Sequence, residues 1–278
     1  MKLNVKFSSI LLAISILSTG GLFAHGDKSA DHNSVSAIDK AVSAKHREKN
    51  SKRDQFRHPK QTLEFFQVNE SQTVIEILPG GGGWYTEILA PLLKEKGHFY
   101  AAQYNPETDS VYRQKTIKRF SDKLAANPEL YGNVKMAVFA PPADFQLGEA
   151  GTADRVVTFR NLHNWTGGKD EDVLAIFKAF HTVLKTGGKL GLTDHRLPED
   201  RSEGTSGYVK QSYAIKMAEA AGFTLEASSD INANPNDTVD HPEGVWTLPP
   251  SYALGDKDKE KYKAIGESNR MTLLFVKK

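Results

Sequence analysis

Two short runs in this chain combine a histidine with side chains that could orient it. Asn161-Leu162-His163-Asn164-Trp165 and Asp194-His195-Arg196 each follow a largely apolar stretch. Imidazole exchanges protons near neutral pH, so His163 is a candidate general base for an oxygen or nitrogen nucleophile. Asp194 and His195 are candidate catalytic partners. Arg196 could fix a substrate carboxylate or pair with Asp194, and Trp165 could wall a pocket. The competing role for His163 is a hydrogen-bonded pin for its own loop. With His58 added, these residues form a nitrogen and oxygen ligand set of the kind that suits zinc, iron or manganese. No pair of them has helical i, i+4 spacing, so no metal site is assigned. His241-Pro242-Glu243-Gly244-Val245-Trp246 lies in a long polar segment, residues 232–270, and reads as a lid.

These runs need a scaffold to bring them together. Val74 to Leu78 is a short apolar run containing one carboxylate, Glu76. Pro79, four glycines (Gly80 to Gly83) and Trp84-Tyr85-Thr86 follow. A buried strand, a glycine turn and a helix start form the first unit of an open α/β sheet. Without a Cβ, the turn can be sharp and a ligand can come close, at the strand end where such sheets bind ligands. Gly80 and Gly82 fit the first two positions of a dinucleotide fingerprint, but Tyr85 occupies the third. No lysine follows, as a phosphate loop requires.

Further strands are expected over residues 98–102, 134–139, 155–159, 189–193, 223–227 and 271–276. Helices are expected near Pro59, from Tyr85, and over 106–126, 172–184 and 208–221. This alternation predicts a doubly wound α/β fold, a mostly parallel seven-stranded sheet with helices on both faces.

An acidic residue inside the first strand followed by a glycine loop resembles motif I of class I S-adenosylmethionine-dependent methyltransferases. Glu76, Gly80 and Gly82 match it, with Leu78 where the family usually has its first glycine. The Leu184-Lys185-Thr186-Gly187-Gly188 turn, and an ending of two strands joined by a long connection, are similar to the same family. The resemblance implies that the last strand is antiparallel. Arg57-His58-Pro59, Pro79 to Thr86 and Asn161 to Trp165 resemble a group of exported bacterial proteins described as predicted methyltransferases. The family implies S-adenosylmethionine as cofactor, wrapped by Glu76, Gly80, Gly81, Gly82, Tyr85 and Asn161. Gln103 stands where the family places a carboxylate that receives the ribose hydroxyls. Asp144 would meet the adenine amino group and Phe145 would lie beside the ring. The expected activity is methyl transfer to a small molecule, with His163, Asp194 and His195 at the acceptor.

The whole chain bounds these expectations. Lys2 and Lys6 precede an apolar stretch that ends near Ala24, the layout of a signal peptide over residues 1–24. Its apolar core, Ile10 to Leu17 with Ser15 inside it, is too short to span a bilayer. No stable membrane anchor is expected after cleavage, and the protein should be exported, to the periplasm or beyond. Removing Lys2 and Lys6 with no acid takes the formal charge from +2 to zero. A neutral chain offers no electrostatic case for nucleic acid. There is no cysteine, which excludes thiolate chemistry and disulfides. Residues 25–53, polar and carrying His25, His32 and His46, read as a flexible leader before a domain over 54–278. Nothing in the sequence fixes the number of subunits. Export removes the chain from the compartment where the cofactor is made. That keeps two alternatives open, a non-catalytic small-molecule binding module on the same fold and a metal-dependent enzyme using the strand-end histidines.

Overall fold

Side chains alternate across the central strands, and the alternation sorts the core into two layers. In β1 (Thr73–Ile77), Ile75 and Ile77 face one layer while Val74 faces the other. Val156 and Val157 of β5 (Ala153–Phe159) separate in the same way. In the computed structural model, residues 35–202 and 206–278 are described. The expected signal peptide, His25 and His32 lie outside them.

Among the described residues four short α-helices come first, α1 (Ala37–Val42), α2 (Glu48–Ser51), α3 (Asp54–Arg57) and α4 (Pro59–Phe65). After β1 come α5 (Thr86–Leu93), β2 (His98–Gln103), α6 (Val111–Ala126), α7 (Pro128–Tyr131), β3 (Lys135–Ala140) and β4 (Asp144–Gln146). Then β5, α8 (Asp170–Val183), β6 (Leu184–Leu197), β7 (Val209–Lys210), α9 (Gln211–Ala220), β8 (Phe223–Ser229), α10 (Lys259–Ile265) and β9 (Arg270–Lys277) complete it. The sheet order is β4-β3-β2-β1-β5-β6-β9-β8, with β7 beside β6. β1, β2, β3, β5 and β6 are parallel, and β9 runs antiparallel to both β6 and β8. All seven expected strands are present, and the reversed last strand is where it was expected. The sheet nonetheless has nine strands. β4 and β7 were missed because two or three residues are too few to show an alternating pattern.

One face of the sheet is covered by α8 and α9, through Val173, Ile176, Phe177, Phe180 and Met217. The other is covered by α5 and its neighbours, through Ile88, Leu89, Leu93, Phe120 and Leu63. Gly191 in β6 is where Phe66 seats, since a Cβ there would stand 2.4 Å from the Phe66 ring.

The expectation of a flexible leader up to residue 53 is corrected from Val35 onward. Ser36 caps α1 by accepting from the Asp39 N–H, and Ile38 and Ala41 are buried against α4 and α5. Polar composition hid this because the segment is held largely by polar contacts. Arg47 is fully buried, with two bonds to the Asp54 carboxylate at 2.8 and 3.0 Å. His46 Nε2 lies 2.8 Å from the Glu87 carbonyl oxygen. Among the described residues no helix is long and apolar enough to cross a membrane.

Candidate active site

A pocket of about 280 Å³ lies at the carboxyl ends of β1, β5 and β6. β6 carries Asp194, fully buried, and His195 next to it. The Asp194 carboxylate organises the site. It sits 2.9 Å from His163 Nδ1, accepts the His195 backbone N–H at 2.7 Å and accepts the His163 N–H at 3.3 Å. An ionised carboxylate only accepts, so Nδ1 of His163 carries the proton and Nε2 is left as the basic nitrogen. His163 stands on a 3-10 turn, Leu162–Asn164, and lines the pocket. Its ring centre is 4.9 Å from that of His195, whose Nδ1 is bonded to Ser268 Oγ. Burial, and then the neighbouring His163 and Arg160, hold the His195 imidazole well below its ordinary range, so it is neutral. Ligand atoms of His163, Asp194 and His195 all lie within 4.8 Å of one another. His58, the fourth residue of the ligand set considered from sequence, is not among them.

The glycine turn borders the same pocket. Leu78 lines it with φ +45°, a left-handed conformation normally left to glycine, and Gly80 follows at φ +69°. A Cβ on Gly80 or Gly82 would meet no atom within 4 Å, whereas one on Gly81 would press on the Arg119 side chain at 3.0 Å. Glu76 lines the pocket but is directed beneath α5, where it accepts from Thr86 Oγ1 at 2.7 Å. Burial raises its carboxyl to about 8, against the opposing pull of Thr86 and Lys123. Tyr85 stacks face to face on Phe159 with ring centres 3.5 Å apart. Asn161 ties two strand ends together, donating to the Ile77 carbonyl at 2.8 Å and the Thr158 hydroxyl at 3.1 Å.

Several expected site residues do other work. Gln103 is buried, donates to the Gly80 carbonyl at 3.1 Å and accepts from the Tyr104 N–H at 3.3 Å. It braces the turn and does not line the pocket, whereas Tyr104 beside it does. Asp144 lies on the edge strand β4, where Asn105 and Gln146 donate to it at 2.9 and 3.0 Å. Phe145 packs on Phe139, 5.6 Å between ring centres, as part of the core. Trp165 is likewise core, beside Phe139 and Phe180. Arg196 pairs with Asp230 at 2.7 Å and not with Asp194. In the late segment Trp246 lines the pocket, while His241 pins its loop through Asp237 at 2.8 Å.

Arg57 and Glu267 were not foreseen as site residues. Both line the pocket, and Arg57 bonds Glu267 at 3.0 Å across 210 positions of sequence. Arg57 and Arg47 both lie over the Trp84 ring, their guanidinium carbons 4.8 and 5.0 Å from its centre. The Arg57-His58-Pro59 motif was a visible sign of the first. No local pattern marks the second.

No family model matches the chain, and no curated protein matches its sequence. Solved structures do match its fold. An S-adenosylmethionine-dependent methyltransferase from Aquifex aeolicus aligns with TM-score 0.54 and 14% identity, over 81% of this chain and 93% of its own. The [4+2]-cyclase SpnF aligns with TM-score 0.56 and 14% identity, over 80% of each chain. One fold thus carries differently named activities, so the reaction has to be argued from the site. The fold of this chain is the one these structures share, a mostly parallel α/β sheet with a reversed last strand.

Proposed function

We propose that the chain is an exported methyltransferase that takes S-adenosylmethionine as donor and a small molecule as acceptor. The observation that carries this reading is the Asp194–His163 pair, 2.9 Å apart, in the same pocket as Glu76 and the glycine turn. The turn fits the cofactor's amino-acid end, because Gly80 borders open space that a side chain would fill. Glu76, Gly80 and Tyr85 would hold that end, with Asn161 fixing the strand ends around it. Gln103 supports the turn from behind, and Tyr104 offers an aromatic face where a direct ribose contact was expected. When bound, the cofactor supplies an electrophilic methyl group on a sulfonium. His163 Nε2 accepts the acceptor's proton while Asp194 stabilises the imidazolium that results. His195 and Trp246 flank the His163 ring, with ring centres 4.9 and 6.1 Å away. The zero formal charge after removal of Lys2 and Lys6 suits a small molecule better than a nucleic acid.

Melting the protein with S-adenosylhomocysteine tests the donor site. Ligand at about 100 times its dissociation constant adds roughly 2.7 kcal/mol, a shift of about 5–10 °C. No shift at millimolar ligand would end this reading. With an acceptor in hand, His163→Gln should lower kcat by about 10² to 10⁴ and leave S-adenosylhomocysteine affinity unchanged.

One observation favours a second reading, a metal held by His163, Asp194 and His195. Zinc should then raise the melting temperature of the wild type and not of Asp194→Asn.

A further inference from the structure

Beside the His163–Asp194 pair lies a concentration of positive charge that the reading above does not use. Four guanidiniums, those of Arg53, Arg57, Arg160 and Arg270, surround one carboxylate, Glu267. Arg53 and Arg57 bond it at 2.7 and 3.0 Å, and Arg270 at 3.1 Å. The three share its two oxygens. Burial alone would raise the Glu267 carboxyl, but the surrounding Arg57, Arg270, Arg53 and Arg160 hold it down at about 2. It is therefore ionised and already saturated with donors.

Arg160 is left over. It follows β5 in a left-handed conformation, φ +60°, which turns it from the strand line into the pocket wall. It is half-buried, and among the described residues its guanidinium makes no hydrogen bond or ion pair. Burial, and then Arg57 close by, hold it well below the ordinary arginine range. Arg57 is 2% exposed and lines the same pocket, yet its Nη2 has no partner. A buried guanidinium N–H with no acceptor, such as Arg57 Nη2, is costly to leave unpaired. The free Nη2 of Arg57 and the unbonded guanidinium of Arg160 are pocket-lining donors arranged for something that arrives from solution. Their planar forks match an oxyanion, which takes paired N–H···O bonds.

We propose that Arg57 and Arg160 form an oxyanion site, so that the molecule acted on in this pocket carries a carboxylate or phosphate. Arg160 and His163 are three residues apart and share the pocket wall, so the anionic group would anchor the acceptor with its nucleophile towards the histidine. Naming the ligand as the acceptor rests on the proposed methyl transfer. The oxyanion site itself does not.

Melting curves with malonate, phosphate or sulfate, against sodium chloride at matched ionic strength, test the site. A saturable millimolar gain is expected for at least one oxyanion. Arg160→Gln should fold, because no bond of that guanidinium is lost, and should weaken oxyanion binding about tenfold or more. Equal melting in chloride and all three oxyanions would overturn the site, and so would an undiminished gain in Arg160→Gln. A second arm assigns the source. S-adenosylhomocysteine carries a carboxylate, and 5′-methylthioadenosine does not. If Arg160→Gln binds both as the wild type does, the oxyanion belongs to the acceptor. If it loses S-adenosylhomocysteine alone, the oxyanion is the cofactor's and the acceptor assignment is wrong. If neither nucleoside binds the wild type, methyl transfer fails while the oxyanion result stands by its own measurement.

Discussion

Glu76 shows how one buried carboxyl sets a pH dependence that separates its structural and functional roles. It faces the α5 side of the sheet with the parity of Val74, is buried beside the pocket and accepts from the Thr86 hydroxyl. Its folded pKa of about 8 exceeds the ordinary value of 4.5. Between those values the folded chain holds a proton that the unfolded chain has released. Stability must therefore fall as pH rises through that window, with the full cost present above it. At 1.36 kcal/mol per unit the cost is on the order of 3–5 kcal/mol. Glu76→Gln removes the titration. The melting temperature of the variant relative to wild type should rise from pH 5 to about pH 8 and then level off, and a constant difference would sink the assignment. At neutral pH Glu76 is mostly protonated, so a cationic ligand group brought against it should expel a proton, measurable as a buffer-dependent binding enthalpy.

At the level of elements, the turn between β1 and α5 carries a strained residue. Leu78 takes φ +45° at the position where glycine would cost nothing, because its N–H is held by the Ala102 carbonyl at 2.8 Å and its side chain packs on the core. A left-handed conformation costs an L-residue roughly 1–2 kcal/mol. Leu78→Ala and Leu78→Gly lose the same packing, and only the second escapes the strain. Urea unfolding should find the glycine variant more stable by about 1 kcal/mol, the reverse of the usual order. Strands, helices and the glycine turn were legible because their periodicities are local. So was the meeting of Glu76, Gly80, His163, Asp194 and His195, since strand order sends strand ends to one edge. Gln103, Asp144 and Phe145 were misplaced for a different reason. Whether a side chain at a strand end faces the pocket depends on its hydrogen bonds, and those of Gln103 run to Gly80 and Tyr104. The Arg57–Glu267 pair depends on a contact spanning most of the domain, which no window of sequence contains.

Across the whole molecule, the segment from Val35 to Arg53 acts as a clamp on the helix that carries the glycine turn. Arg47 joins the Val42 carbonyl at 2.6 Å to the Asp54 carboxylate and lies over Trp84. Asn50 donates to Glu87 of α5 at 2.8 Å, and its carbonyl accepts from the Trp84 indole at 3.2 Å. Ile38 and Ala41 close the apolar seam against Leu63 and Ile88. Each buried aliphatic side chain is worth roughly 1.5–3 kcal/mol, and hydrogen bonds to a charged group about as much. A chain that starts at Asp54 should therefore melt roughly 10 °C or more below one that starts at Val35, at about 2–4 °C per kcal/mol for a domain of this size. Trp84 fluorescence should shift to the red in the shorter chain, because both the Asn50 acceptor and the Arg47 face are gone. Identical melting of the two chains would show that the segment rests on the domain without holding it. If the clamp is real, ligand binding to the pocket should suffer as well, since Trp84 and Tyr85 line it from the turn that the clamp secures.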